Sequence, residues 1–179
     1  MFVAVIGGPI ASGKSSLSRA AATRLEETGE TNAAVIDLDV VYEMLDPRGQ
    51  SGRPKSDERL WSQARRTAGR LAALFLAEDR CVLAEGNSAA DHALGEFEAE
   101  LPADVPLRLV MLNIDFEIAL RRTQADPSRG LSKDPSFLSI HHCEFTPQWR
   151  GRDVLQLDTG AFSVAEAAEA VVTWLRPTR

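Results

Sequence analysis

The chain has 179 residues, of which 44% are apolar and 26% are charged, a balance that suits one folded domain with a full core and excludes a disordered chain. The formal net charge is −6 and the 20 Lys and Arg residues form no long basic run, which disfavours a nucleic-acid partner but allows a local anion site. No apolar run approaches the roughly 18 residues of a membrane span, so we expect no membrane partner.

The first residues and the cysteines bear on the compartment. Met1 leads directly into an apolar run, without the basic segment and cleavage site of a secretory signal peptide. Two cysteines, Cys81 and Cys143, are too few for a disulfide framework in a chain of this size. We therefore expect a cytoplasmic protein with reduced thiols. The sequence does not choose between a monomer and a homodimer.

Short apolar runs alternate with longer segments of helical periodicity. The apolar runs are typical of buried strands and cover 2–6, 33–36, 81–84, 107–114 and 154–157. Apolar residues at three- and four-residue steps predict a helix over 57–78 whose buried face carries Leu60, Trp61, Ala64, Ala68, Leu71, Leu74 and Phe75. Ser163, with Glu166 three residues later, predicts a capping box at the start of a last helix over 163–175. The apolar stripe of that helix is predicted to contain Val164, Ala168, Val171, Val172 and Leu175.

This alternation predicts an α/β fold. Strands that alternate with helices form βαβ units, whose parallel sheet is covered by helices on both faces. We expect one domain over 1–179. Two polar segments rich in Gly and Pro, 46–56 and 125–136, are predicted to be surface loops.

Residues 8–15 carry the strongest functional signal. They read GPIASGKS, which matches the Walker A pattern G-x-x-x-x-G-K-S between a predicted strand and a predicted helix. Such a loop turns backbone N–H groups and a helix N-terminus toward a phosphate chain. Lys14 supplies a positive charge for the phosphates, and the Ser15 hydroxyl is a ligand suited to Mg²⁺. The predicted nucleotide contacts in this loop are Gly8, Ala11, Ser12, Gly13, Lys14, Ser15 and Ser16.

Two carboxylates, Asp37 and Asp39, follow the second strand. On an extended chain, residues two positions apart point the same way, and ligands of parallel sheets bind at the carboxyl ends of the strands. We therefore expect both carboxylates beside the γ-phosphate, one able to hold Mg²⁺ and one able to accept a hydrogen bond from an attacking hydroxyl. The alternative is that they cap a helix over 40–45.

Glu85 ends the third strand and is expected at the same edge of the sheet. Its carboxylate could order the Mg²⁺ shell or bind substrate hydroxyls. The alternative is that it accepts hydrogen bonds from backbone N–H groups of the following loop.

Two arginines follow the fourth strand. Asp115 is the predicted N-cap of a helix that carries Arg122, and Arg129 comes seven residues later. A planar guanidinium can stack on a base or bind phosphate oxygens with two N–H groups. The neighbouring Arg121 is expected on a solvated helix face.

These motifs, in this order, resemble the small P-loop kinases of the shikimate kinase and chloramphenicol phosphotransferase type. The resemblance implies that ATP and Mg²⁺ are used and that the sheet order is 2-3-1-4-5. It places Asp37 on the Mg²⁺ side and Asp39 on the acceptor. It also implies that Arg122 stacks on adenine and that Arg129, in a lid at about 123–137, reaches the transferring phosphoryl group. One departure is that shikimate kinases have three glycines after the third strand, where this chain has only Gly86, which counts against shikimate as the substrate.

In related kinases the loop after the fifth strand lies against the adenine, which implies nucleotide contacts from Thr159 and Gly160. The alternative is a turn that only caps the next helix. Most substrate contacts are expected from about 40–80, where Arg53, Arg59 and Arg65 are candidates. The predicted substrate residues are Asp39, Arg59 and Glu85.

The sequence thus predicts an ATP-dependent kinase that phosphorylates a hydroxyl of a small metabolite or antibiotic. Its predicted catalytic residues are Lys14, Asp39 and Arg129. One alternative is a nucleoside or nucleotide kinase. Another is a nucleotide-binding regulatory NTPase without phosphotransfer.

Overall fold

The computed structural model describes residues 1–29, 32–46, 55–86, 90–145, 149 and 151–176. Within these ranges the strands are β1 Val3–Gly7, β2 Asn32–Asp37, β3 Arg80–Glu85, β4 Leu107–Asn113 and β5 Val154–Asp158. The helices are α1 Lys14–Glu27, α2 Leu38–Leu45, α3 Glu58–Ala77, α4 Asp91–Glu98, α5 Phe116–Ala125, α6 Pro135–Glu144 and α7 Val164–Leu175, with a 3-10 turn at Leu131–Lys133. Each predicted strand lies within one or two residues of its expected position.

The strands form one parallel sheet in the order β2-β3-β1-β4-β5, which confirms the predicted fold class and strand order. The register aligns the strand ends, because Glu85 lies beside Ile6 on one side and Asp37 on the other. The carboxyl ends of β1, β2 and β3 therefore meet at one edge of the sheet.

Helices cover both faces of the sheet. Successive strand residues point to opposite faces, so the apolar residues of each strand need packing partners on both sides. Val3 and Val5 pack with residues of α2, α3 and α4 on one face, and Ala4 and Ile6 pack with α1 and α7 on the other. A third, smaller apolar cluster joins α5 and α6 to the loop after β1. This cluster fixes α6 beside the Walker A residues.

Side-chain caps fix the starts of several helices. The predicted capping box of α7 is present, since Ser163 and Glu166 bind each other's backbone N–H groups. Asp115 caps α5 as predicted. Asp57 caps α3, and Asp134 caps α6.

The buried face of α3 differs from the prediction. Leu74 is 63% exposed, whereas Ala72 and Leu76 are buried. Small residues let α3 lie close to α4: a Cβ on Gly69 would come within 2.5 Å of the Phe97 carbonyl oxygen. Steric fit between the two helices, rather than hydrophobicity alone, sets the rotation of α3.

Three further predictions need correction or fall outside the structure. Val164, expected in the buried stripe of α7, is 49% exposed. The expected loop 125–136 contains a 3-10 turn and the start of α6 at Pro135. Most of the expected loop 46–56 lies outside the described residues.

No helix among the described residues is long and apolar enough to cross a membrane.

Candidate active site

The turn that follows β1 carries the Walker A residues and has an unusual backbone conformation. Ala11 and Gly13 both have positive φ angles, 65° and 91°, and Gly13 is the N-cap of α1. Lys14, the first residue of α1, donates from Nζ to the carbonyl oxygens of Gly8 (2.9 Å) and Pro9 (3.0 Å). An ammonium has three protons, so Lys14 can hold the loop and still donate to a ligand.

Lys14 lies among four charged side chains. Burial lowers the pKa of Lys14, and the nearby carboxylates of Glu85, Asp39 and Asp37 partly offset this effect. The guanidinium of Arg129 lowers the pKa further. The structure thus brings together the three predicted catalytic residues and both other predicted carboxylates.

Asp37 and Asp39 do not lie on one extended strand, so the prediction that they point the same way from an extended chain is wrong. β2 ends at Asp37, and α2 begins at Leu38. The reason is that Asp37 Oδ1 accepts hydrogen bonds from the N–H groups of Asp39 (2.9 Å) and Val40 (3.4 Å) and so starts the helix immediately. The capping alternative is therefore correct for Asp37. Asp39 instead lies in the first turn of α2.

Glu85 is buried at the end of β3, with 2% of its surface exposed. Burial raises the pKa of Glu85 to about 7, and the neighbouring Asp37 and Asp39 carboxylates act in the same direction. A hydrogen bond from the Ser15 hydroxyl and the charge of Lys14 oppose them. The contact with Ser15 places Glu85 on the Walker A side of the site.

The glycine after Glu85 has a steric role. Gly86 has φ 133°, and a Cβ there would lie 2.8 Å from Leu38 Cβ. A larger residue would push the end of β3 away from the start of α2.

Arg122 joins three segments of the site. Its Nη2 donates to the Thr159 carbonyl oxygen at 2.6 Å, and its Nη1 lies 3.4 Å from both Thr159 Oγ1 and the Ala11 carbonyl oxygen. Arg122 therefore holds the loop after β5 against the loop after β1. Gly160 lies in the same turn, where its N–H donates to Asp158 at 2.8 Å.

A cavity of about 260 Å³ lies beside this junction. Its polar wall comes from the Walker A loop, Arg122, Arg129 and Thr159, and its apolar wall includes Phe162 and Val164. Ser12 also lines the cavity, and its buried hydroxyl has no hydrogen-bond partner in the described part of the chain. The predicted nucleotide residues that line this cavity are Ala11, Ser12, Gly13, Ser16, Arg122 and Thr159.

The segment predicted as a lid ends in α6, and α6 packs against the Walker A loop. Arg129 is partly exposed and pairs with Asp126 at 3.3 Å. In α6, the fully buried Leu138 packs against Ala11. The ring of His142 lies 3.3 Å from the Ile10 carbonyl oxygen. These α6 contacts support the Walker A loop. No pattern in the sequence predicted them.

No family model and no curated protein matches the sequence. Solved structures do match. A sugar kinase from Janibacter sp. HTCC2649 superposes with a TM-score of 0.74 at 16% identity, covering 98% of this chain and 94% of the other. A gluconokinase from Sinorhizobium meliloti 1021 has a TM-score of 0.70 at 20% identity, covering 97% and 91%. The APS kinase of Mycobacterium tuberculosis, in complex with AMPPNP and APS, has a TM-score of 0.70 at 20% identity, covering 97% and 96%.

The chain shares its fold with these three kinases. This agrees with the strand order and with the position of the Walker A loop.

In this fold, the predicted substrate arginines lie in different environments. Arg59 is exposed in the first turn of α3. Arg65 is 1% exposed and bonds Glu96 at 2.6 Å and Glu58, so it ties α3 to α4. Arg53 lies outside the described residues. Arg65 therefore has a packing role, while the substrate role of Arg59 stays a prediction.

Lys55 is a site residue that the sequence analysis missed. Its Nζ lies 2.8 Å from Asp39 Oδ1 and 3.0 Å from Glu43 Oε1. It precedes α3 in a segment without hydrophobic periodicity, so no pattern marked it. Only the fold brings it to Asp39, sixteen positions earlier in the chain.

The oxygen groups near Lys14 fit a magnesium ion. No set of three or more His, Cys, Asp or Glu side chains within the described ranges is arranged to hold a metal alone. Mg²⁺ commonly takes only one or two protein carboxylates and fills its other positions with water and phosphate. The Ser15 hydroxyl, Glu85 and the Oδ2 atom of Asp37 are oxygen groups that could serve as ligands of that kind.

Proposed function

We propose that the chain is an ATP-dependent kinase that transfers the γ-phosphate to a hydroxyl group of a small molecule. The observation that carries the proposal is the position of Lys14. Its ammonium lies in the Walker A loop, among the charges of Asp37, Asp39, Glu85 and Arg129. This arrangement combines a phosphate cradle with a carboxylate available to an acceptor.

The cavity beside the Walker A loop suits the nucleotide. The backbone N–H groups at the start of α1 face a phosphate chain favourably because the helix N-terminus carries partial positive charge. The Ser12 hydroxyl, which has no hydrogen-bond partner among the described residues, can donate to the same phosphate chain. Arg122 and Phe162 offer flat surfaces for a base, and the sugar kinase, gluconokinase and APS kinase folds support this assignment.

Ser15, Asp37 and Glu85 would hold Mg²⁺ in this scheme. The ion would neutralise charge on the β- and γ-phosphates. Lys14 and Arg129 act on the same charge from the protein side. Because phosphoryl transfer needs positioning and charge stabilisation more than covalent catalysis, these cations are the main catalytic groups.

Asp39 acts on the acceptor. Its side chain is about half exposed at the open side of the site, where a small molecule can reach it. The carboxylate orients the acceptor hydroxyl toward the γ-phosphorus and takes its proton as the new O–P bond forms. The bond to the β,γ-bridging oxygen breaks, and ADP leaves with that electron pair.

The test is a mass-spectrometric search for a phosphorylated product. The protein is incubated with Mg-ATP and a mixed library of sugars, hydroxy acids, amino sugars, antibiotics, nucleosides and nucleoside monophosphates. We expect one hydroxyl compound to gain the mass of one phosphate. The gain should disappear in Lys14→Ala and persist in Arg19→Ala, which removes an exposed cation from the same helix.

Each other outcome rejects the proposal in a different way. A product formed only from nucleoside monophosphates would identify a nucleotide kinase. Tight Mg-ATP binding without any product would favour a regulatory NTPase. Retained transfer in Lys14→Ala would reject the assigned site.

A further inference from the structure

The ammonium group of Lys55 has all three of its protons engaged by nearby acceptors. It donates to Asp39 Oδ1 at 2.8 Å and to the Asp39 carbonyl oxygen at 3.2 Å, and it pairs with Glu43 Oε1 at 3.0 Å. A lysine has three N–H donors and no acceptor. Lys55 therefore has no donor left for a substrate anion in this arrangement.

The backbone of Lys55 is fixed as well. Trp61 Nε1 donates to the Lys55 carbonyl oxygen at 2.9 Å, and the Trp61 ring lies 4.5 Å from the ring of Tyr42. The Lys55 ammonium is 5.9 Å from the centre of the Tyr42 ring, within the range of a cation–π contact. Two buried aromatic rings thus hold the residue at its base while the carboxylates hold its tip.

Lys55 is charged in this environment. Burial lowers its pKa, but hydrogen bonds and the charges of Asp39 and Glu43 outweigh burial and raise the pKa above the ordinary lysine value. The side chain is 21% exposed, so its ion pairs are shielded from water more than a surface pair.

We propose that Lys55 is a positioning residue that holds Oδ1 of Asp39 and leaves Oδ2 to the acceptor hydroxyl. The acceptor part of this inference rests on the proposed kinase function, whereas the pairing stands on the geometry alone. In the transfer step, Oδ2 takes the hydroxyl proton while the new O–P bond forms and ADP departs. Apart from Lys55, no residue in the described part of the chain fixes the rotation of the half-exposed Asp39 carboxylate.

The pairing can be tested without any acceptor. The chain has three lysines, Lys14, Lys55 and Lys133, so ¹⁵N-lysine labelling gives a simple spectrum of side-chain ammonium groups. The signal that Lys55→Arg removes belongs to Lys55. We expect Asp39→Asn to shift that signal strongly and Glu43→Gln to shift it less. An unchanged signal in Asp39→Asn, or no signal assignable to Lys55, would overturn the pairing.

The positioning role is tested by kinetics with the compound identified in the library search. We expect Lys55→Met to lower kcat by about 10–100-fold with little change in the acceptor KM, and Lys55→Arg to recover part of the rate. Arg70→Met serves as a control, because it removes an exposed ion pair with Glu100 from α3. A thermal melt confirms that each variant is folded.

The possible results separate the two proposals. A rise in acceptor KM with kcat retained would show that Lys55 binds substrate and would overturn the positioning role. Unchanged kinetics in Lys55→Met would overturn it too. If the wild type phosphorylates nothing while the Lys55 signal still responds to Asp39→Asn, the kinase function and the acceptor role fail, and the pairing stands.

Discussion

Replacing Glu85 with glutamine should stabilise the protein at alkaline pH. Burial raises the pKa of Glu85 from its ordinary value of 4.5 to about 7. That difference corresponds to about 3 kcal/mol that disfavours the ionised carboxylate in the native state. Glutamine has nearly the same shape but no charge to desolvate, so Glu85→Gln should gain up to this amount above pH 7.

The pH dependence has a definite sign. Between pH 4.5 and 7 the native state keeps a proton on Glu85 that the unfolded state releases, so wild-type stability falls as the pH rises through this window. The advantage of Glu85→Gln should therefore be under about 1 kcal/mol at pH 5 and approach its full value at pH 8. Urea unfolding followed by tryptophan fluorescence, in EDTA and without nucleotide, measures both values.

A matched substitution controls for the loss of an acidic residue. Glu26 is exposed on α1, so Glu26→Gln should change stability by a small amount that is similar at every pH. A difference between wild type and Glu85→Gln that does not vary with pH would refute the argument from burial. A Glu85→Gln variant that is less stable than the wild type at pH 8 would refute it as well.

Two further substitutions test the proposed nucleotide contacts, and a third tests the packing of α6. Gly8→Ala should weaken Mg-AMPPNP binding at least tenfold, measured by calorimetry, because the new Cβ would lie 2.6 Å from a neighbouring hydroxyl oxygen. The control Gly95→Ala should leave this binding unchanged, because there is open space around its new Cβ. Arg122→Lys should weaken the same binding by about tenfold, since one ammonium cannot bridge the Walker A loop and Thr159; unchanged affinity would remove Arg122 from the site. Leu138→Ala should lower the free energy of unfolding by about 2–5 kcal/mol in urea titrations, and a cost under 1 kcal/mol would show that α6 is not anchored there.

Local rules explain why much of the fold was predictable. The strand positions follow from short apolar runs, and the start of α7 follows from the reciprocal hydrogen bonds of Ser163 and Glu166. The Walker A turn follows from glycines that accept unusual backbone angles. Each of these features depends on residues within a few positions of one another.

The same rules failed where another interaction competed with residue spacing. An extended chain over 37–39 would place both carboxylates on one side, but capping by Asp37 starts a helix at Leu38. On α3, periodicity alone placed Leu74 inside, whereas close packing through Gly69 rotated the helix and left Leu74 exposed. In both places the outcome depends on a contact that residue spacing does not describe.

The sequence by itself determined the turn with the Walker A pattern, the parallel sheet and most of the charged residues at its carboxyl edge. Only the tertiary structure decided which partner each of these charged residues meets: Asp39 pairs with Lys55, Glu85 with Ser15, and Arg122 with Thr159. The physical reason is that backbone geometry and capping act over a few residues. Ion pairs and burial instead depend on distances between segments that only the folded chain brings together.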